Sequence, residues 1–443
     1  MKPMAIVVLI MAALGHLQAG SPPPRDAIRL DGRLSYPAIS SHGGKLYLQL
    51  SIGAGDFARP ARRPLNLSVV LDRSGSMAEE EKMSHARAAL HTLISQLRSD
   101  DVFSLVIYDN EVDVLWPASA VGRRKGELRR LVNEVYPRGR TNLGGGLSEG
   151  YRQVGRSLQR EYVNRVVLLS DGLANEGITD PGRLADIAQR QRRSGVSLTT
   201  IGVGLDYNEN LMVDLSEQGG GNYYFIENPE NLASVLRREF DQLSSMLAQS
   251  VILELELGAG VTLHDVIGFE YHREGTRVIV PIGDLYANDS RELCAEISVP
   301  PGEGSVAVAQ GRLVWQVESA VEKTLPSFRT AVRYENDRAA VERERDWDIQ
   351  AKGDVAVSTR AVKKALESLD AGKTEEAAQT LTSARRDLAA SPAVSRPGAG
   401  AGAIMAQEAR LKSYADSLSQ EGKDTRRVKK SIQFDNYGVQ KQR

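Results

Sequence analysis

Cysteine is almost missing from this 443-residue chain: Cys294 stands alone. A single thiol cannot close an internal disulfide, so stability must come from packing and from any bound ion. Cys294 itself lies in the strand-like run ELCAEISV and reads as a buried structural thiol. Histidine is scarce too, and none of the six stands in a cluster suited to catalysis. The chain has no Walker GxxxxGK[ST] loop, no HExxH and no G-x-S-x-G elbow. The usual sequence signs of nucleotide hydrolysis, zinc proteolysis and serine hydrolysis are therefore lacking. Charge of one sign is lacking as well: 56 Lys plus Arg face 57 Asp plus Glu, a formal net charge of -1. That balance gives no global electrostatic case for nucleic acid or an anionic membrane.

Long apolar runs are also few. The start, Met1-Lys2-Pro3 followed by MAIVVLIMAAL, is basic and then apolar, but too short to span a bilayer comfortably. Leu17-Gln18-Ala19 before Gly20-Ser21-Pro22 offers a small-residue cleavage point. Residues 1–19 thus read as a secretory signal peptide, which makes the mature protein secreted or periplasmic; an uncleaved membrane anchor is the alternative. No cysteine precedes the cut, so the bacterial lipoprotein signal is absent.

What is present centres on Leu65 to Met77, where the run LNLSVVL breaks off into Asp72-Arg73-Ser74-Gly75-Ser76-Met77. A short, partly β-branched apolar run bounded by polar residues reads as a strand buried on both faces, at the centre of a parallel sheet. In an open α/β sheet, ligands bind beyond the carboxyl ends of the strands, which is where Asp72, Ser74 and Ser76 fall. Their ligating atoms are all oxygens, and oxygen selects hard cations such as Mg²⁺, Mn²⁺ or Ca²⁺. Three side chains cannot fill an octahedral shell. Thr141 precedes the helix start GGGLSEG, and Asp171 follows the apolar strand VVLLS; both can supply further oxygens. Helix capping and turn chemistry account for any one of these residues, but not comfortably for all five after strand-like runs.

The set D-x-S-x-S, then a loop Thr, then an Asp after a later buried strand resembles the metal-ion-dependent adhesion site of von Willebrand factor type A (VWA) domains, in proteins of the exported bacterial kind. Thr200-Ile201-Gly202-Val203-Gly204 and NENLMVDLSEQGGGNYYFI extend the likeness over about residues 62 to 247. The resemblance implies metal ligation by Asp72, Ser74, Ser76, Thr141 and Asp171, with the hydroxyls touching the ion directly and the carboxylates directly or through water. Mg²⁺ comes first among the candidate ions, with Mn²⁺ and Ca²⁺ behind it. The resemblance further implies a protein partner that presents an Asp or Glu, and a last helix of the domain that slides when this ligand arrives. Arg73, between two ligands, has Glu79 or Glu80 as possible partners.

Period and composition divide the rest. Residues 28–57 carry alternating β runs, and residues 62–248 alternate strands with helices, an α/β doubly wound pattern whose last helix spans 229–248. Residues 250–335 are all-β, so the expected fold is a VWA domain inserted in, or followed by, a β-sandwich. Residues 342–390 form a helical hairpin, with helices over 355–369 and 374–388. The stretch 391–403, SPAVSRPGAGAGA, reads as a flexible linker. Residues 404–443 give a helix to Gln420 and a solvated, mobile basic tail. Function follows as an exported, metal-dependent protein-binding module rather than an enzyme. Two alternatives stand behind it: an assembly component whose metal only stabilises the fold, and a metal-dependent phosphoryl-transfer enzyme.

Overall fold

The computed structural model describes residues 28–55, 62–316, 327–396, 398–420 and 424–441. The signal-peptide reading of residues 1–19 lies outside them. Strands β1 (Ile28–Leu34), β2 (Ala38–Ile39) and β3 (Gly44–Ala54) open the chain. An α/β unit follows: β4 (Leu65–Asp72), α1 (Lys82–Gln96), β5 (Val102–Tyr108), β6 (Val112–Ala120), α2 (Lys125–Asn133), α3 (Leu143–Arg156), β7 (Val163–Ser170), α4 (Pro181–Arg193), β8 (Ser197–Val203), α5 (Glu209–Gly219), β9 (Gly220–Ile226) and α6 (Leu232–Ser244). Then come β10 (Met246–Leu257), β11 (Thr262–Ile267), β12 (His272–Glu274), β13 (Arg277–Tyr286), β14 (Ser290–Val299), β15 (Ser305–Gln316) and β16 (Phe328–Tyr334). Helices α7 (Arg338–Glu344), α8 (Trp347–Asp370), α9 (Thr374–Ala389), α10 (Ala399–Ser419) and α11 (Thr425–Lys441) complete it.

Every residue of β4 is buried, as a strand covered on both faces requires. Leu65, Leu67, Val69 and Leu71 enter a core shared with α1, α2 and α6. Val70 points into the opposite core, built with α3, α4 and α5. The strand order is β6-β5-β4-β7-β8-β9, parallel except for β6. From β4 the chain runs outward to β5 and β6, then crosses back to β7 on the other side. The order therefore reverses between β4 and β7, and the crevice beyond their carboxyl ends is where such a sheet binds ligands.

The last helix is shorter than the expected 229–248. A 3-10 turn at Pro229–Asn231 leads into α6, which stops at Ser244. Met246, Leu247 and Ala248 are good helix formers, but Met246 and Ala248 pair with Tyr286 and Leu285 of β13, and that pairing overrides local propensity.

Two further sheets, β1-β3-β14-β11 and β12-β13-β10-β15-β16-β2, enclose a third core. Strand β3 lies between β1 and β14, with Leu50 opposite Leu293. Strands from before and after the α/β unit thus complete one another, since an isolated hairpin is only marginally stable.

Helix α8 begins at Trp347, eight residues ahead of expectation, where Asp346 caps it by accepting from the Ile349 N–H. The run Lys352-Gly353-Asp354 hides this start. Gly353 is buried because the Tyr47 ring fills the space a side chain would need. Nor is 391–403 an unstructured linker. Pro392–Ser395 forms a 3-10 turn, and the Gly400 N–H near the start of α10 donates to Asp348 Oδ1. The basic tail is likewise folded: α11 docks on the α/β unit through Arg426 to Asp206, Arg427 to Glu227, and Lys429 and Lys430 to Glu209.

Candidate metal centre

Asp72 ends β4, and both its oxygens are engaged. Oδ1 accepts from the Ser74 N–H at 2.8 Å, while Oδ2 accepts from Ser170 Oγ at 2.8 Å and the Tyr108 hydroxyl at 3.2 Å. These donors fix the carboxylate where the chain turns out of the sheet. Burial, and then the neighbouring charge of Asp171, push its pKa up to about 6 against the pull of those bonds.

The two hydroxyls of the following loop join the carboxylate of Asp171. Ser76 Oγ donates to Asp171 Oδ1 at 2.8 Å and lies 3.1 Å from Ser74 Oγ, so Ser74 is left to donate to Ser76. Asp171, directly after β7, is fully buried, and that burial raises its pKa despite the Lys82 ammonium beside it. Lys82 Nζ bonds Asp171 Oδ2 at 3.0 Å.

Thr141 arrives from the loop before α3. Asn175 holds it at two points: the Thr141 N–H donates to Asn175 Oδ1 at 2.9 Å, and its carbonyl accepts from the Asn175 N–H at 3.2 Å. Gly172 marks where the pieces meet. A Cβ on that residue would sit 3.2 Å from Thr141 Oγ1 and 3.6 Å from Ser76 Oγ. Asp72, Ser74, Ser76, Thr141 and Asp171, spread from residue 72 to residue 171, therefore gather at the β4–β7 crevice.

The donor set is three hydroxyls and two carboxylates, which fits a hard divalent cation. Among the described residues no group of three or more His, Cys, Asp or Glu side chains is placed to hold a metal. A metal centre here would have to draw on hydroxyls, which this candidate set supplies.

Sequence reasoning missed Lys82, Tyr108, Ser170 and Asn175. Lys82 had a faint signal, because a cation in the first turn of a helix opposes the macrodipole and so asks for another reason to be there. Arg73 does not use Glu79 or Glu80; it ion-pairs with Asp109 on the β5–β6 turn and with Asp113 near the start of β6, at 2.9 and 2.5 Å.

A doubly wound sheet whose switch-point loops converge oxygen side chains in this order defines the von Willebrand factor type A class. The family model for the von Willebrand factor type A domain matches residues 66–238, and the chain carries such a domain.

Among particular relatives, the uncharacterized protein YfbK of Escherichia coli (strain K12) is 34% identical over 207 residues, covering 46% of this chain and 36% of that protein. Inter-alpha-trypsin inhibitor heavy chain H1 of Sus scrofa is 26% identical over 307 residues, covering 67% of this chain and 34% of that protein. The chain spans about a third to two thirds of the length of the first curated relatives it matches. Among solved structures, a von Willebrand factor type A protein from Catenulispora acidiphila superposes with a TM-score of 0.70 at 16% identity, covering 93% of this chain and 96% of that one. At that identity the likeness shows the fold alone.

Proposed function

We propose that the protein is an exported, metal-dependent protein-binding module, secreted or periplasmic, that captures an acidic side chain of a partner protein. Asp72, Ser74, Ser76, Thr141 and Asp171 would hold the ion, Mg²⁺ before Mn²⁺ or Ca²⁺. When bound, the cation supplies an electron-poor position that attracts a partner's Asp or Glu. The chain's own residues set that character. Hydroxyls donate no charge, Asp72 is already occupied by three donors, and Lys82 answers Asp171. The observation that carries this reading is the hydrogen-bonded line Ser74, Ser76, Asp171, with Thr141 beside Gly172 at the β4–β7 crevice. Protein interaction is also the usual work of VWA domains. The five side chains include no imidazole or thiol, and nothing in the arrangement favours catalysis.

The test is affinity capture with crosslinking, run with Mg²⁺ and with EDTA, on the wild type and Asp72→Ala. Capture lost with EDTA and in Asp72→Ala, with the fold retained, is the expected result. A fall in melting temperature together with loss of assembly would favour a purely structural metal, and capture indifferent to both treatments would defeat the reading.

A further inference from the structure

Lys82 is a buried cation in contact with a site that is meant to hold a cation, and that juxtaposition calls for a physical account. Its side chain is 2% exposed, and Nζ lies 3.0 Å from Oδ2 of Asp171, which is itself wholly buried. Solvent screens such a pair little, so removing either partner leaves an uncompensated buried charge. The ammonium is also confined. A Cβ on Gly204, in the loop after β8, would fall 3.1 Å from Lys82 Cε and 3.3 Å from Nζ, and Gly204 itself has φ +76°. Arg73, the other cation of the ligand loop, is answered by Asp109 and Asp113. Among the described residues, Lys82 is thus the cation whose side-chain hydrogen bond runs directly to one of the five site residues.

We infer that Lys82 is the positioning and charge-setting residue of this centre. It holds Oδ2 of Asp171, so that Oδ1 faces the Ser76 hydroxyl, and it offsets one of the two carboxylate charges. Two carboxylates, one ammonium and one divalent ion leave a single net positive charge. The site then grips a bare cation loosely and a cation with an anionic ligand more firmly, which favours release when no partner is present. The inference rests on the metal-binding reading above and deepens it. A lysine with only a packing role would predict a lower melting temperature on substitution and no change in ion affinity.

The experiment uses the full chain and Mn²⁺ as the probe ion, with free Mn²⁺ followed by its electron paramagnetic resonance signal, and acetate as the minimal carboxylate. Wild type, Lys82→Met and Lys82→Arg are compared, with circular dichroism to check folding. Lys82→Met is expected to bind Mn²⁺ at least about tenfold more tightly, the scale of effect of removing a nearby unit charge. Acetate should strengthen Mn²⁺ binding less in this variant than in wild type, and Lys82→Arg, which keeps the charge, should follow wild type. Folded Lys82→Met with wild-type or weaker Mn²⁺ affinity overturns the inference alone. Mn²⁺ binding by neither wild type nor Lys82→Met overturns the metal reading and the inference together. Binding by Lys82→Met only supports the inference in its strongest form. Should Lys82→Met not fold, Lys82→Gln replaces it, and equal departures from wild type by Gln and Arg overturn the inference.

Discussion

Asp72 shows how burial and hydrogen bonding compete on a single side chain. Its folded pKa, about 6, lies above the ordinary carboxylate range near 4. Between about pH 4 and 6 the folded, cation-free protein keeps a proton that the unfolded chain has shed, so its stability falls as pH rises through that window. A cation that needs the ionised group must displace the same proton. On the proposed metal reading, Mg²⁺ should therefore raise the melting temperature in full above about pH 7, and the effect should fade as pH drops through 6, a loss of about tenfold in apparent affinity per unit. Thermal scans with and without Mg²⁺ from pH 5 to 8 check this, and a shift independent of pH would contradict it. Gly172 allows a second check at this scale. Its alanine variant places a methyl 3.2 Å from Thr141 Oγ1, tighter than ordinary contact, so Thr141 must give way. Gly172→Ala should weaken Mn²⁺ binding about tenfold, as losses around a metal shell do, while leaving the melting temperature of the ion-free protein near wild type.

Elements of the α/β unit were legible where local signals and burial agree. Val102–Tyr108 is an apolar run interrupted only by Ser104 and buried throughout, and Pro181–Arg193 is opened by an Asp180 cap that accepts from the Arg183 N–H, with Pro181 at its start. Of the candidate site residues, Asp72, Ser74, Ser76 and Asp171 were legible for a similar reason, since they follow strand-like runs, whereas Thr141 lies in the loop between α2 and α3 and stood out only beside the Gly-rich helix start. What stayed hidden depends on distant partners. The start of β10 looks helical until β13 pairs with it, and the basic tail looks solvated until acids on the α/β unit bind it. Lys430 is the clearest instance: buried, it donates to the Tyr207 carbonyl at 2.7 Å, pairs with Glu209, and lies 4.0 Å from the Tyr207 ring centroid. Phe434 and Tyr437 meet the Tyr223 ring edge-on in the same interface. Lys430→Ala leaves Glu209 to Lys429 alone and takes the donor from the Tyr207 carbonyl, and should cost about 2 kcal/mol, read by chemical denaturation. The sliding of the last helix that the family resemblance implies would concern α6 alone. Glu239 on α6 accepts from Thr199, Asn222 and Tyr224, and these bonds would have to change for the helix to move. Hydrogen exchange over 232–244 should therefore rise when Mg²⁺ and a captured partner are both present, and an unchanged pattern would remove the coupling.

At the scale of the whole molecule, the α/β unit is gripped at the end of its sheet opposite the candidate metal centre. Arg165 lies near the start of β7 and Asp171 just past its end, so one strand joins the two regions. The Arg165 guanidinium is fully buried and crosses to the all-β part, donating to Asp284 Oδ2 at 2.8 Å and to the Tyr286 hydroxyl at 2.9 Å. It also donates to Thr199 at 3.2 Å, and Glu239 of α6 lies 3.9 Å away. These partners hold its pKa above the usual value despite burial, so the charge persists at every working pH. A permanently charged, buried group depends on its partners, and here two of them, Asp284 and Tyr286, belong to the other sheet system. The two cores should therefore unfold in a single calorimetric transition. Asp284→Ala removes the carboxylate, also takes away the acceptor for the Ser197 hydroxyl and the Ser250 N–H, and should cost about 3 kcal/mol or more. If the bridge couples the units, calorimetry of this variant will show the lowered transition broadening or dividing in two. A single sharp transition at the wild-type temperature would mean that the units cohere without it.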